Sequence, residues 1–276
     1  MADIHQFNHR AMATYFEIRM AGEERTYAAQ AAQAAIDLLD KLESRLSRFR
    51  SNSDIAQIAE LAPGQKMRLS EPVFACLEIA KRMELATRGA FSATAAALQT
   101  QASAPRWRLQ PELQSIVCES GQLMFDLGAI GKGFALDRMA ELLRNWDCPA
   151  FLLVAGGSSI LAGDAPNDAA GWSCGLGDDN ATQRCFLTHA SLSGSGLAVK
   201  GSHILDPRTG RAALRQNRAW AVTDSAAESD ALSTASMVLS ESELEQVLAE
   251  DESWLVFLET DGTAQPMGHR ALPPQA

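Results

Sequence analysis

Residues 126–138, DLGAIGKGFALDR, follow the apolar run Leu123-Met-Phe and lead into the helical spacing Phe134, Leu136, Met139, Leu143 and Trp146. Three glycines, Gly128, Gly131 and Gly133, surround the single lysine Lys132. The pattern predicts a strand over 123–127, a glycine turn, a helix through Trp146 and a second strand at Phe151-Leu-Leu-Val. A glycine-rich turn at a helix N-terminus exposes amides to a ligand and the lysine adds a charge, so phosphate is one candidate occupant. Neither common phosphate loop fits. Lys132 precedes Gly133 rather than serine or threonine, and the glycines run G-x-x-G-x-G rather than G-x-G-x-x-G. A plain strand-to-helix turn has the same composition, and both readings stay open on these residues alone.

The 276 residues suffice for one large core or two interleaved subdomains. With 24 basic and 34 acidic side chains the net charge is −10, which argues against general attraction to nucleic acid. An acidic chain that handles phosphate needs a local cation: a metal, a lysine or backbone amides. No apolar run reaches membrane-spanning length, and the start MADIHQFNHR lacks a hydrophobic signal core. Cys76, Cys118, Cys148, Cys174 and Cys185 show no C-x-x-C spacing and read as reduced thiols of a cytoplasmic chain. An exported chain whose leader had been removed would read the same.

Working outward, Thr14–Met20 is the first strong strand pattern. Ile36, Leu39, Leu42, Leu46 and Phe49 predict a helix whose far end carries Arg45, Arg48 and Arg50, most simply a solvated basic face. Ser70-Glu-Pro opens a second helix that stops at Gly89, and 93–105 reads as a loop with one helical turn. Beyond the glycine turn A155-GGSS come strands around 172–176, 185–188 and 219–223, then a helix over 230–239. Ser240-Glu-Ser-Glu offers a capping box. A hairpin turns at Asp261-Gly262 and leaves a Pro-rich tail, about 265–276, expected to fray.

Two further groups bear on chemistry. In S202-HILDPRTG, Asp206 to Gly210 is turn chemistry, whereas His203 carries the side-chain type best suited to proton exchange near neutral pH and is either an acid–base group or structural. Asp230 and Thr234 share one helix face, and such a hard-oxygen pair suits Mg²⁺. Equally, Asp230 could cap the helix while Thr234 bonds its own backbone.

Taken in order, R10-AMATYFEI, L46-SRFRSNSDI, G89-AF, D126-LGAIGKGFALDR, V154-AGGS, S202-HILDPRTG and S229-DALSTA resemble the ApbE family of FAD:protein FMN transferases, from about residue 10 to about residue 240. The resemblance implies a single domain over 1–276, of mixed α+β class, with largely antiparallel sheets, packed helices and a central FAD cleft between two lobes. It implies an enzyme that binds FAD with Mg²⁺, breaks the pyrophosphate and passes FMN to a Thr or Ser hydroxyl of a client flavoprotein, leaving AMP. Carried over, Asp230, Thr234 and the main-chain carbonyl of Gly131 are the metal ligands. Gly128, Gly131, Lys132 and Gly133, with Gly156, Gly157, Ser195 and Asp206, hold the cofactor, and His203 is the catalytic acid or base.

The chain departs from the family pattern at several places. Ser92 and Ser158 stand where the family has aspartate, Ala13 replaces a glycine, and S195-GLAVKGSHIL lacks the usual Asp, Tyr and Arg. Client docking or flavin selectivity is the property these changes touch. Two rivals therefore stay open: an FAD pyrophosphatase in which water replaces the client hydroxyl, and a silent FAD-binding paralogue.

Overall fold

Phe151, Leu153 and Ala155 point into one core while Leu152 faces another, and Ala219 and Ala221 alternate in the same way with Trp220 and Val222. Apolar side chains on both faces of a strand mean a sheet covered on both sides. The computed structural model describes residues 3–166, 169–177, 183–196, 204–213 and 216–272. Its N-terminal part runs β1 (Ile4–Ala11), β2 (Thr14–Ala21), α1 (Arg25–Leu46), α2 (Asp54–Ile58), β3 (Lys66–Arg68), α3 (Glu71–Ala86), β4 (Arg106–Gln110) and β5 (Ser115–Ser120). Then come α4 (Gly131–Asn145), β6 (Phe151–Ala155), β7 (Ser159–Ala162), β8 (Trp172–Gly175), β9 (Arg184–Leu187), β10 (Ala190–Gly196), β11 (Leu205–Asp206) and β12 (Arg211–Ala212). The chain closes with β13 (Arg218–Thr223), α5 (Ala226–Ser236), α6 (Glu241–Leu248), β14 (Leu255–Thr260) and β15 (Thr263–Gly268).

An eight-stranded sheet in the order β1-β2-β6-β7-β10-β13-β14-β15 is antiparallel throughout. Helices α1, α4 and α5 cover one face, and the β8–β9 hairpin brings Trp172, Cys174, Cys185 and Leu187 to the second core on the other. A three-stranded sheet, β3-β5-β4, stands apart from the main one. No helix among the described residues is long and apolar enough to cross a membrane.

Several expectations change. Helix α1 starts at Arg25 and ends at Leu46, with alanines (Ala28, Ala31, Ala32, Ala35) forming the first half of its buried stripe. Phe49 lies beyond that end and is 85% exposed. Helix α3 stops at Thr87 because Arg88 and Gly89 are both left-handed. The segment 123–127 is not a strand of any sheet, although Leu123, Phe125 and Leu127 are buried. Asp126 sends its N–H to the Ala93 carbonyl, and Phe125 meets Trp107 edge-on with ring centroids 5.1 Å apart, so core packing replaces the ladder. Residues 265–268, expected in the frayed tail, form β15, in which Pro266 faces Phe257 at the sheet edge where its missing N–H is harmless. Helix α2 and strands β1, β3, β4, β5, β7, β10, β11 and β12 have no counterpart among the expectations.

Hairpin β1–β2 turns on Met12 and Ala13, with φ of 49° and 59°. Left-handed backbone at both central positions matches the strand twist but strains a residue with a Cβ. Ala13→Gly is therefore expected to stabilise the fold by about 1 kcal/mol, read from the urea midpoint; a loss of stability would show that the Ala13 methyl is needed in its packing.

Ser240 and Glu243 close a capping box on α6, and Arg208 bonds Glu243 at 2.7 Å. The Ser240 backbone and hydroxyl, then Arg208, hold the Glu243 carboxyl down to about 2 from an ordinary 4.5. A depressed carboxyl adds stability above the unfolded value and loses it as pH falls through the folded one. Melting temperature followed from pH 5 to pH 2 should fall less steeply in Glu243→Gln than in the wild type, and parallel profiles would contradict the assignment.

Candidate active site

Helix α4 begins where the glycine turn ends. Gly131 donates its N–H to the Leu127 carbonyl at 2.6 Å, and Gly128 donates to the Asp126 carboxylate at 2.9 Å. Gly133 lets α4 touch the start of α5: a Cβ there would lie 1.9 Å from the Ala226 carbonyl oxygen. Its N–H goes to Asp230 Oδ2 at 2.8 Å, so it is engaged within the protein.

Asp230 is only 5% exposed, and its carboxylate is held from three sides. Ser159 donates to Oδ1 at 2.6 Å, Gly133 to Oδ2, and Lys132 Nζ stands 3.7 Å from Oδ2. Each oxygen retains a further lone pair. Asp230 does not cap its helix; Ser225 does, accepting the Glu228 N–H. Thr234, one turn on, donates to its own Asp230 carbonyl at 3.1 Å and lies 3.2 Å from the Ser195 hydroxyl. Thr234 nevertheless lines a cavity of about 530 Å³, together with Arg48, Phe91, Ser92, Asp126, Gly128, Ile204, Leu205 and Pro207. A smaller chamber of about 220 Å³ shares Arg48, Asp126 and Gly128 and is lined by Met12, Ala13, Phe49, Gly131 and Lys132.

Gly128, Gly131, Lys132 and Thr234 thus come together on one two-chambered cleft, with Asp230 just behind it. The other described candidates are not among the residues lining the two chambers. Gly156 and Gly157 make the β6–β7 turn with φ of 60° and 68°, and a Cβ on Gly156 would meet Thr14 Oγ1 at 2.6 Å. Ser195 is buried against Ser233 and Thr234. Asp206 accepts Arg208 through the backbone N–H, Nε and a terminal nitrogen; burial opposes ionisation, yet these bonds keep its carboxyl below the usual range. His203 lies outside the described residues; Ile204, the next residue, lines the larger chamber.

Arg45 at the end of α1 and Arg48 and Arg50 just beyond it stay about half exposed, as a solvated face would, and each stands against a carboxylate. Arg45 pairs with Asp54 and Arg50 with Glu43, while Arg48 sits 3.5 Å from Asp126 at the junction of the chambers. Two residues about the metal candidates escaped the sequence reading. Ser159 follows the glycine turn, and Asp137 is the last residue but one of the opening motif, where it reads as an ordinary polar helix position. Burial raises the Asp137 carboxyl to about 6, against the pull of bonds from Ala227, Ser225 and Ala226. A signal for the buried hydroxyls does exist: Ser191, Ser193 and Ser195 alternate along β10, and Ser229, Ser233 and Ser236 recur at helical steps.

Could these residues hold a metal? No group of three His, Cys, Asp or Glu side chains converges among the described residues. There remain one carboxylate with free lone pairs, one hydroxyl on the larger chamber and, on the smaller one, Gly131, whose main-chain carbonyl is a further hard oxygen. That hard-oxygen set fits Mg²⁺, which takes few protein ligands and completes its shell with water and phosphate.

Comparison with known proteins bears on this geometry. The model of the ApbE family matches residues 12–257. An FAD:protein FMN transferase of Klebsiella pneumoniae (strain 342) is 22% identical over 281 residues, covering 87% of this chain and 80% of that protein. Among solved structures, the flavin transferase ApbE from Vibrio cholerae superposes with a TM-score of 0.82 at 18% identity, covering 97% of both chains. The ApbE protein from Thermotoga maritima does so at 0.81 and 19% identity, covering 96% of this chain and 97% of that one. At such identities the superpositions establish the shared fold: mixed α and β, with mostly antiparallel sheets.

Because a backbone carbonyl faces Gly133, no side-chain movement can make room for a methyl group. Gly133→Ala is expected to destabilise the protein by about 3 kcal/mol, at the upper end of ordinary overpacking. Urea unfolding measures this, and a loss below about 1 kcal/mol would mean that α4 and α5 can slide apart freely.

Proposed function

The chain belongs to the ApbE family, and on that premise we propose that it transfers FMN from FAD to a threonine or serine hydroxyl of a client flavoprotein, releasing AMP. The observation that carries this reading is the meeting of the glycine turn, Lys132 and the Asp230–Thr234 face at one cleft. Asp230, Thr234 and the Gly131 carbonyl would hold Mg²⁺. When bound, the ion would neutralise pyrophosphate charge and polarise the bond to be broken.

The chain's own groups do the orienting. Ser159 and Gly133 fix the two Asp230 oxygens, and Ser195 fixes the Thr234 hydroxyl, so little reorganisation is needed on binding. Lys132 supplies a positive charge at the helix start, where the Gly128 turn leaves room for a phosphate. His203, assigned from the sequence pattern, would accept the proton of the incoming hydroxyl. Among the remaining candidates, Gly156, Gly157 and Asp206 would act by shaping the loops that border the cofactor. A cytoplasmic setting, in which buried thiols such as these stay reduced, is part of the proposal.

AMP release from FAD, with and without a client domain and over a range of Mg²⁺ concentrations, tests the reading. Release that requires client and metal is expected, with a matching mass increase on the client. Asp230→Ala should lower it by roughly 10²-fold or more and remove the metal dependence of FAD binding. Release without client would instead indicate a pyrophosphatase, and FAD binding without any release a silent paralogue.

A further inference from the structure

One buried carboxylate near the cleft has no part in the chemistry above. Asp137, on α4, accepts the Ala226 N–H on Oδ1 at 2.7 Å, and the Ala227 N–H at 2.9 Å and the Ser225 hydroxyl at 2.7 Å on Oδ2. All three donors belong to the first turn of α5 and its cap. The helix already has a cap of its own, but a long one: Glu228 N–H to Ser225 Oγ at 3.4 Å. In the opposite sense, Asp230 of α5 accepts the N–H of Gly133 near the start of α4. Each helix thus places a carboxylate on the amino end of the other, and between the two clamps Gly133 touches the Ala226 carbonyl. A slide or rotation of α5 that breaks one clamp strains the second.

We propose that Asp137 is a positioning residue for the transfer reaction: it sets the register of α5 against α4, and so holds the Asp230 carboxylate and the Thr234 hydroxyl in place over Gly131 and Lys132. A lone cap would stabilise α5 wherever the helix happened to lie. Three donors gathered on one carboxylate of a different helix specify where it lies. The consequence for turnover rests on the transferase reading, whereas the consequence for geometry does not.

Asp137→Asn keeps the shape and one acceptor oxygen but turns an amide donor toward α5. Amide hydrogen exchange on the full chain is the first measurement. Faster exchange at Ala226 and Ala227 is expected from the lost bonds themselves. The positioning role also requires the remote Gly133 amide to exchange at least ~10-fold faster, while β6 amides such as Leu153 keep wild-type rates. Gly133 protection unchanged beside an exposed Ala226 and Ala227 would overturn the proposal and leave Asp137 a cap. Should that variant not fold, Asp137→Glu, which keeps the charge but displaces the carboxylate from its three donors, is read by the same criterion. The second measurement is AMP release: kcat is expected to fall by up to ~100-fold with KM for FAD within about threefold of wild type. Wild-type kcat in a variant that has lost Gly133 protection would also overturn it. A wild-type protein that releases no AMP would refute the transferase reading, and the exchange data would still decide the positioning.

Discussion

The close approach of α4 to α5 is the constraint on which the site depends. Only a residue without a Cβ can stand at position 133, because the Ala226 carbonyl fills the space. At that contact the amino ends of two helices lie side by side, each with unsatisfied N–H groups and partial positive charge. Asp137 and Asp230 answer these from opposite sides. Asp230 tolerates burial because Ser159, Gly133 and Lys132 surround it, so that its desolvation is offset before any ligand arrives.

Helix α5 is unusual in being buried on nearly all sides, which explains its composition. Alanines and serines, rather than leucines, let it sit close to both the sheet and α4. Its contact with β10 is a ladder of hydroxyls: Ser191 and Ser193 meet Ser229, and Ser195 meets Ser233 and Thr234. Every member has a partner, as a buried polar network requires. The ladder ends at Thr234, so the same interactions that seat the helix also orient the hydroxyl that reaches the cleft.

Charge in the cleft is arranged in pairs. Lys132 accompanies Asp230, Arg48 accompanies Asp126, and at the edge Arg208 joins Asp206 to Glu243. In a chain of net charge −10, such pairing keeps cationic groups beside the glycine turn without leaving any carboxylate there unanswered. The cations beside the glycine turn are therefore Lys132 and Arg48, each standing against a carboxylate, while the Gly128, Gly131 and Gly133 amides are bonded within the protein.

What the sequence by itself determined lies within a few residues of itself. The start of α4 after the glycine turn, the shared face of Asp230 and Thr234, the left-handed Gly156-Gly157 turn and the capping box at Ser240 all follow from spacings of one to four residues. Helical and turn geometry acts over that range. The tertiary structure alone decided the rest. The apolar run at 123–127 joins no ladder because its neighbours offer side chains instead of a strand edge. Arg48, still about half exposed, stands opposite Asp126 across the cleft because the chain between them folds back. Gly133 and Ser159 reach Asp230 from 97 and 71 residues away, and Asp137 reaches Ser225 across 88. Those meetings depend on how helices settle on a sheet, and no rule of local spacing carries that information.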